Sequence, residues 1–380
     1  MIVAGAGVGG LTAARALRGA GIDVAVFEQL EQPGMTMVGG GFHLWPNAIR
    51  ALREIGLDET ARQVGAPMLR AEFCSSRGRT LAVWPIEEIA QGLGLFDVGI
   101  ARQDLITMLY ESVQSGAVTA AARLVDFDDG ADGVTARFAD GREERGDVLV
   151  GADGLRSIVR TKLLGAAEPD YAGYVQWQTL IEGAEGLFPE GVERLTFGPA
   201  ARTVMHRVAG GRLFLACVIY GPQEQGGRPP GRKARLLEAF GRWPEPIPTA
   251  LDATPEEQII GLPVFDRKPV TAWGRGRVTL LGDAAHPMTT NTSQGGNQAI
   301  EDGVVLGRML RGAHEPVATL RAYEQRRIER TTPLVKASRT VSNFNAWGDP
   351  VRVGLRDVMF KLAVPRKGLS ELRKAVSAPL

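Results

Sequence analysis

Cysteine is nearly missing from this chain: Cys74 and Cys217 are the only two in 380 residues. That is too few for a disulfide framework, and neither lies in a CxxC or metal-like spacing. Both are expected to be buried thiols, and no metal is expected. No apolar run approaches the ~18 residues that a bilayer span requires. The chain opens directly on Ile2-Val3-Ala4 with no basic leader, so a cytoplasmic location without membrane is expected. An excess of one charge is missing as well. The 44 Lys and Arg nearly cancel the 43 Asp and Glu, leaving +1, which argues against nucleic acid as a partner. What remains, 44% hydrophobic and 23% charged residues, is ordinary globular composition and excludes disordered and collagen-like classes. At ~150 residues per domain, the length suggests two or three domains, or a large one with an insertion.

The first stretch, MIVAGAGVGGLTAARALRGAGIDVAVFEQ, reads as strand, glycine turn, helix and second strand. Within it, Gly5-x-Gly7-x-x-Gly10 follows the strand and opens the helix, the context in which this motif binds a dinucleotide. Gly5 permits the tight turn, Gly7 lets backbone amides approach a pyrophosphate, and Gly10 lets helix and strand pack closely. Glu28, at the end of the second strand, lies where a carboxylate accepts hydrogen bonds from a ribose. Only one such fingerprint exists in the chain, so a second dinucleotide has no domain of its own.

Two further motifs follow strands. In GADGLRSIVR, Asp153 can accept donors at a helix start. Arg160 is spaced to pair with it across a turn, or else reads as a surface arginine. In VTLLGDAAHPMTTNTSQGGNQAIEDG, Asp283 ends a strand at the edge where open α/β sheets bind ligands. The amides of Gly295, Gly296 and Asn297 then open a helix whose N-terminus favours an electron-rich group.

Between these motifs, 68–95 and 171–264 read mostly as strands and turns, with a loop at 221–232 and a helix over 234–242. The expected fold is α/β. A Rossmann-type domain is assembled from 1–67, 96–170 and 265–335, with an inserted, mainly antiparallel substrate sheet (68–95 and 171–264) and C-terminal helices over 336–380.

In this order and spacing, the three motifs resemble the class A FAD-dependent aromatic monooxygenases, the para-hydroxybenzoate hydroxylase family. GAGVGG with Glu28 resembles its FAD fingerprint, GADGLRSIVR its DG motif, and LLGDAAHP…QGGNQAIED the GD motif that holds the ribityl chain and pyrophosphate. The likeness covers roughly residues 1–335. LWPNAIRAL and YAGYVQWQTL are most similar to the urate, salicylate and hydroxynicotinate hydroxylase branch, and Arg102 in IARQDL matches an arginine that contacts FAD. The resemblance implies FAD as cofactor, NAD(P)H as co-substrate, and O2 activation as a flavin C4a-hydroperoxide. That species would hydroxylate or epoxidise an aromatic or polycyclic small molecule in a monomeric or homodimeric enzyme. The alternatives are an FAD-dependent dehydrogenase or oxidase on the same scaffold, and a flavin-binding protein without catalysis. The family commonly reads H-P-x-x-P-x-x-G-Q-G in its GD loop. Here Thr290 stands in place of the second proline and Ser293 in place of the first glycine of G-Q-G.

Alternation along the strand after Arg202 puts Arg202, Val204, His206 and Val208 on one face, with Phe214, Ala216 and Val218 sharing a face of the next strand. By resemblance to the urate branch, Arg202 matches a substrate-binding arginine. That branch's tyrosine is Phe214 here and its loop aspartate is Asn291, which argues against urate itself. His206 is a candidate base, His43 a candidate neighbour of the flavin beside Gly39–Gly41, and His286 a structural hydrogen-bonder. His314 reads as surface. Trp177 and Gln178 are candidates for the pocket lining.

Overall fold

The computed structural model describes residues 1–32, 40–113, 116–223 and 229–380. Gly39 and residues 224–228 of the expected loop at 221–232 therefore lie outside the described residues.

Short, mostly apolar strands make the first layer. Ile2–Ala4 pairs in parallel with Leu149–Gly151 on one side and Ala25–Phe27 on the other. Val278–Leu280 and Val118–Thr119 complete a five-stranded parallel sheet. Its central strands Ile2–Ala4 and Leu149–Gly151 are buried on both faces, so they carry apolar runs with no alternation, while the edge strand Val118–Thr119 is partly exposed. The helix Val8–Gly19 lies against the helix Gly295–Leu310. The approach is close because Gly303 and Gly307 face it: a Cβ on either would come within 2.6 Å of Ala13 N or Ala16 Cβ. Two helices that both begin at glycine turns are thereby held side by side.

The second layer is a nine-stranded sheet. Ile260–Asp266, Asp170–Ile181, Arg212–Tyr220, Ala201–Val208 and Gly191–Gly198 run antiparallel in that order. Gly191–Gly198 then pairs in parallel with Ala66–Ser75. Val98–Ala101 and Gly41–Leu44 continue the sheet, so it draws strands from outside 68–95 and 171–264.

Side-chain alternation divides this sheet cleanly. Val175, Trp177, Met205, Leu213, Leu215 and Cys217 pack under the helices Arg232–Phe240 and Ile247–Ala253. Their neighbours Gln176, Gln178, Val204, His206, Phe214 and Ala216 face the other way, toward the parallel layer. Trp177 is therefore core, and Gln178 faces the cleft. The helix Pro316–Asn345 and the later helices Pro350–Ala363 and Leu369–Ser377 close the chain.

Candidate active site

The two layers enclose a cleft of about 390 Å³, lined by Gly7, Val8, Gly9, Asp283, Gly295 and Gly296 on one side and by Gln178, Arg202, Val204, His206 and Phe214 on the other. The glycine turn is tight at its ends and open in its middle. Gly5 has φ +103°, and a Cβ there would lie 2.4 Å from Ala152 O. A Cβ on Gly10 would lie 2.0 Å from Gly5 O, whereas one on Gly7 would meet nothing within 4 Å. Backbone amides are thus exposed to the cleft at a helix N-terminus, which is an anion cradle. Glu28 is buried beside it. Its carboxylate accepts from Ala6 N at 2.7 Å and Leu30 N at 3.1 Å, so the acid is fixed in place with lone pairs to spare for a ribose hydroxyl.

Arg102 starts the helix Arg102–Ser112, and its backbone N–H donates to Gly40 O at 2.8 Å. Its Nε is buried without a hydrogen-bond partner. Burial lowers its pKa while Asp283 pulls the other way. Asp283 opens into the cleft. The protein packed around it raises its carboxyl, against the opposing pull of His286 and Arg102. An unpartnered guanidinium Nε, a carboxylate and an open glycine cradle along one wall fit a dinucleotide such as FAD.

Behind that wall, Asp302 accepts from Gly282 N at 2.8 Å and lies 2.6 Å from His286 Nε2. Arg327 binds both Asp302 and Glu301. Burial alone would raise the Asp302 carboxyl, but His286 and Arg327 overcome it and hold it down at about 2. His286 is therefore a bracket for the GD loop. Asp153 accepts from Ile158 N and Val159 N. With Asp153 occupied by those amides, Arg160 is neither its partner nor a surface residue. It is buried and donates to Ala284 O and Ala285 O at 2.9 and 3.0 Å, tying the DG segment to the GD loop.

The opposite wall holds a buried acid–base chain. His43 sits 3.2 Å from Asp97 Oδ1 through Nε2 and 3.3 Å from Glu193 Oε2 through Nδ1. The other oxygen of Glu193 lies 3.8 Å from His206 Nδ1. Burial alone would lower the pKa of His43, but Glu193 and Asp97 override it and raise it to about 9. Burial raises Asp97 to about 6 against the pull of His43. Glu193 is held below its ordinary value because His43 outweighs its burial. His206 is lowered to about 4, chiefly by burial, with Glu193 only partly offsetting it. His206 is thus a neutral imidazole in the cleft, backed by an anionic carboxylate.

Asn291 does not line the cleft. Its Nδ2 donates to Tyr174 Oη at 3.1 Å, and its Oδ1 accepts from Asn345 Nδ2 at 3.0 Å. Asn297 is buried, its side chain linking His43 O and Ser293 O to Trp45 N. His314 is exposed. Glu193 and Asp97 escaped sequence reading, because only strand register brings Glu193 opposite His206. The one available signal was Glu193 itself, an acid within the strand-forming stretch Gly191–Gly198.

Residues 1–338 match the family described as FAD binding domain. The chain is 35% identical over 362 residues to aurachin C monooxygenase/isomerase of Stigmatella aurantiaca, covering 95% of this chain and 94% of that one. It is 33% identical over 341 residues to the FAD-dependent urate hydroxylase of Klebsiella pneumoniae subsp. pneumoniae, covering 89% and 88%. The crystal structure of Klebsiella pneumoniae HpxO complexed with FAD and uric acid is similar at TM-score 0.92 and 28% identity, covering 99% of this chain and 96% of that one. With those likenesses and a cleft whose lining fits a dinucleotide in place, the chain belongs to the FAD-binding family of single-component flavoprotein monooxygenases, in the branch that holds the urate and hydroxynicotinate hydroxylases.

Proposed function

We propose that this monooxygenase consumes NAD(P)H and, through a flavin C4a-hydroperoxide, hydroxylates or epoxidises an aromatic or polycyclic small molecule bearing an ionisable N–H or O–H group. The observation that carries the reading is the single cleft joining the glycine cradle to the face bearing Arg202, His206 and Phe214. When bound, FAD supplies the two-electron chemistry that activates O2.

The chain's own residues hold, orient and deprotonate. Gly7 and the Gly295–Gly296 turn present amides to the pyrophosphate and the flavin edge, Glu28 takes the ribose, and Arg102 and Asp283 flank the cofactor arm. Phe214 packs on Gly41, where a Cβ would come within 2.6 Å of its ring, and forms an apolar floor for a flat substrate. Arg202 is buried and lines the cleft. It favours a substrate that carries negative charge as it reacts. Neutral His206 accepts the substrate proton, and Glu193 stabilises the resulting imidazolium, raising the electron density of the ring that takes oxygen.

The test is a panel of aromatic acids, phenols and quinolone- or quinol-like polycycles, screened for accelerated NAD(P)H oxidation under 18O2 with product mass recorded. The reading expects one labelled oxygen per turnover. Substrate oxidation without label would assign the chain dehydrogenase or oxidase chemistry instead.

A further inference from the structure

We propose that the outward face of the helix Pro350–Ala363 is a lipid contact that lies on an anionic membrane surface. Five of the twelve large apolar side chains exposed among the described residues stand on this one helix: Val351 (80%), Leu355 (51%), Val358 (53%), Met359 (38%) and Leu362 (64%). Val351, Leu355, Val358 and Leu362 follow at intervals of four, three and four, which aligns them in one stripe. The stripe is not a core face left uncovered by poor docking. The helix's other side is already packed: the Phe360 ring meets Phe73 and Phe197, and fully buried Arg356 donates to Gly198 O at 3.0 Å.

Charge decides what fits the stripe. Arg352 and Lys361 flank it, roughly a quarter-turn to either side, and Arg366, Lys367, Arg373 and Lys374 follow, all exposed. The exposed acids over 346–380 are only Asp349 and Glu371. Asp349 caps the helix at Arg352 N, and Glu371 pairs with Lys374. Asp357 turns inward between Arg79 and Arg356. A second copy laid on this face would set cation against cation with no free acid to meet them. An anionic leaflet satisfies both features, with headgroups pairing to the cations and the interfacial acyl region receiving the stripe. Among the described residues no helix is long and apolar enough to cross a membrane, so the contact is with the surface. It also has a logic of position. Trp347 O, just before the helix, accepts from Ala200 N at 2.9 Å, in the hairpin that leads into Arg202. The leaflet would therefore lie on the side of the molecule where the substrate sheet ends.

The experiment is co-sedimentation of the FAD-loaded full chain with vesicles of phosphatidylcholine alone and of phosphatidylcholine mixed with phosphatidylserine. Wild type is expected to sediment only with the phosphatidylserine vesicles and to be released by salt. Leu355→Glu with Leu362→Glu should weaken partitioning on the order of tenfold or more, and Lys361→Glu with Lys367→Glu should weaken it while leaving the apolar stripe intact. All substituted positions are exposed, and an unchanged flavin spectrum and thermal melt would verify that the variants fold. Failure of wild type to bind the anionic vesicles, or equal binding by the Leu variant, overturns the proposal. So does a wild-type dimer in sedimentation velocity that the Leu variant dissolves, which would assign the face to a second copy.

Discussion

The backbone N–H of Thr290 donates to the phenol oxygen of Tyr174 at 3.0 Å, in the loop position where the family commonly carries a proline. A proline has no N–H to give. The same residue's hydroxyl donates to Gln176 Oε1 at 2.7 Å and lies 3.0 Å from the Tyr174 phenol oxygen, so the threonine stitches the GD loop to the substrate sheet three times. Thr290→Pro removes both the N–H and the hydroxyl and should therefore cost about 1.5–4.5 kcal/mol, of which the lost donor to a buried phenol is about 1–3. Thr290→Val keeps the N–H and should cost about 0.5–1.5 kcal/mol. Urea unfolding of the two variants separates the backbone bond from the hydroxyl bond, and equal losses would refute the assignment.

Ser293, standing where the family commonly has glycine, keeps the glycine conformation, with φ 51° and ψ 28°. A serine held in that left-handed region is strained by about 1 kcal/mol. Ser293→Gly should raise stability by up to ~1 kcal/mol, since relief of strain outweighs the added chain entropy. Ser293→Val should lower it, because a β-branched residue tolerates this region worst. Chemical denaturation reads both signs.

These two positions also mark the limit of what sequence alone discloses. Gly5, Gly7, Gly10 and Glu28 were legible because their chemistry is local: one strand, one turn and one helix set the geometry. Strand alternation was legible too, and it placed Arg202, His206 and Phe214 toward one cleft. The partners of Arg160, Asn291 and Glu193 were not, because each depends on register or docking between segments distant in the chain. Arg160 reaches carbonyls 124 and 125 residues away. Asn291 is drawn off the cleft by Tyr174 and by Asn345 on the helix Pro316–Asn345. A family match can transfer a residue's place in a motif, but not the neighbour it bonds.

Glu28 should govern cofactor affinity. Glu28→Ala would leave Ala6 N and Leu30 N without their present acceptor and remove the group offered to the ribose. Charged hydrogen bonds of this kind contribute ~1.5–3 kcal/mol, so FAD dissociation should rise about 10- to 100-fold. Recovery of flavin fluorescence on release measures it. An unchanged Kd would remove Glu28 from the ribose role.

The Asp302 carboxylate supplies an acid-sensitive part of stability. Its folded pKa, held at about 2, lies below the ~3.9 of an unfolded aspartate. Its contribution is therefore complete above about pH 4 and is lost as pH falls toward 2, and it amounts to roughly 2 kcal/mol. Asp302→Asn should destabilise at neutral pH, with a gap to wild type that narrows steadily below pH 4. A gap constant from pH 7 to 3 would contradict this.

The pair of Glu193 and His206 makes the sharpest claim about chemistry. With its pKa near 4, His206 is neutral across the physiological range and ready to accept a proton. Protonation of the free enzyme should curtail activity only on an acidic limb near that value. Glu193→Gln deletes the one charge that raises the His206 pKa, so the limb should move to still lower pH. It also removes the stabilisation of the imidazolium formed when substrate loses its proton, and kcat should fall about 10²- to 10³-fold. His43 loses its main support in the same variant and should titrate below its present value of about 9. The discriminating readout is the absorbance of bound substrate, which reports its ionised fraction directly. In wild type the ionised fraction of bound substrate should exceed that of free substrate at the same pH. In Glu193→Gln and His206→Gln the neutral form should persist to higher pH, with FAD affinity unchanged. If both variants still ionise the substrate as wild type does, the proton leaves by another route and Glu193 merely fixes the sheet.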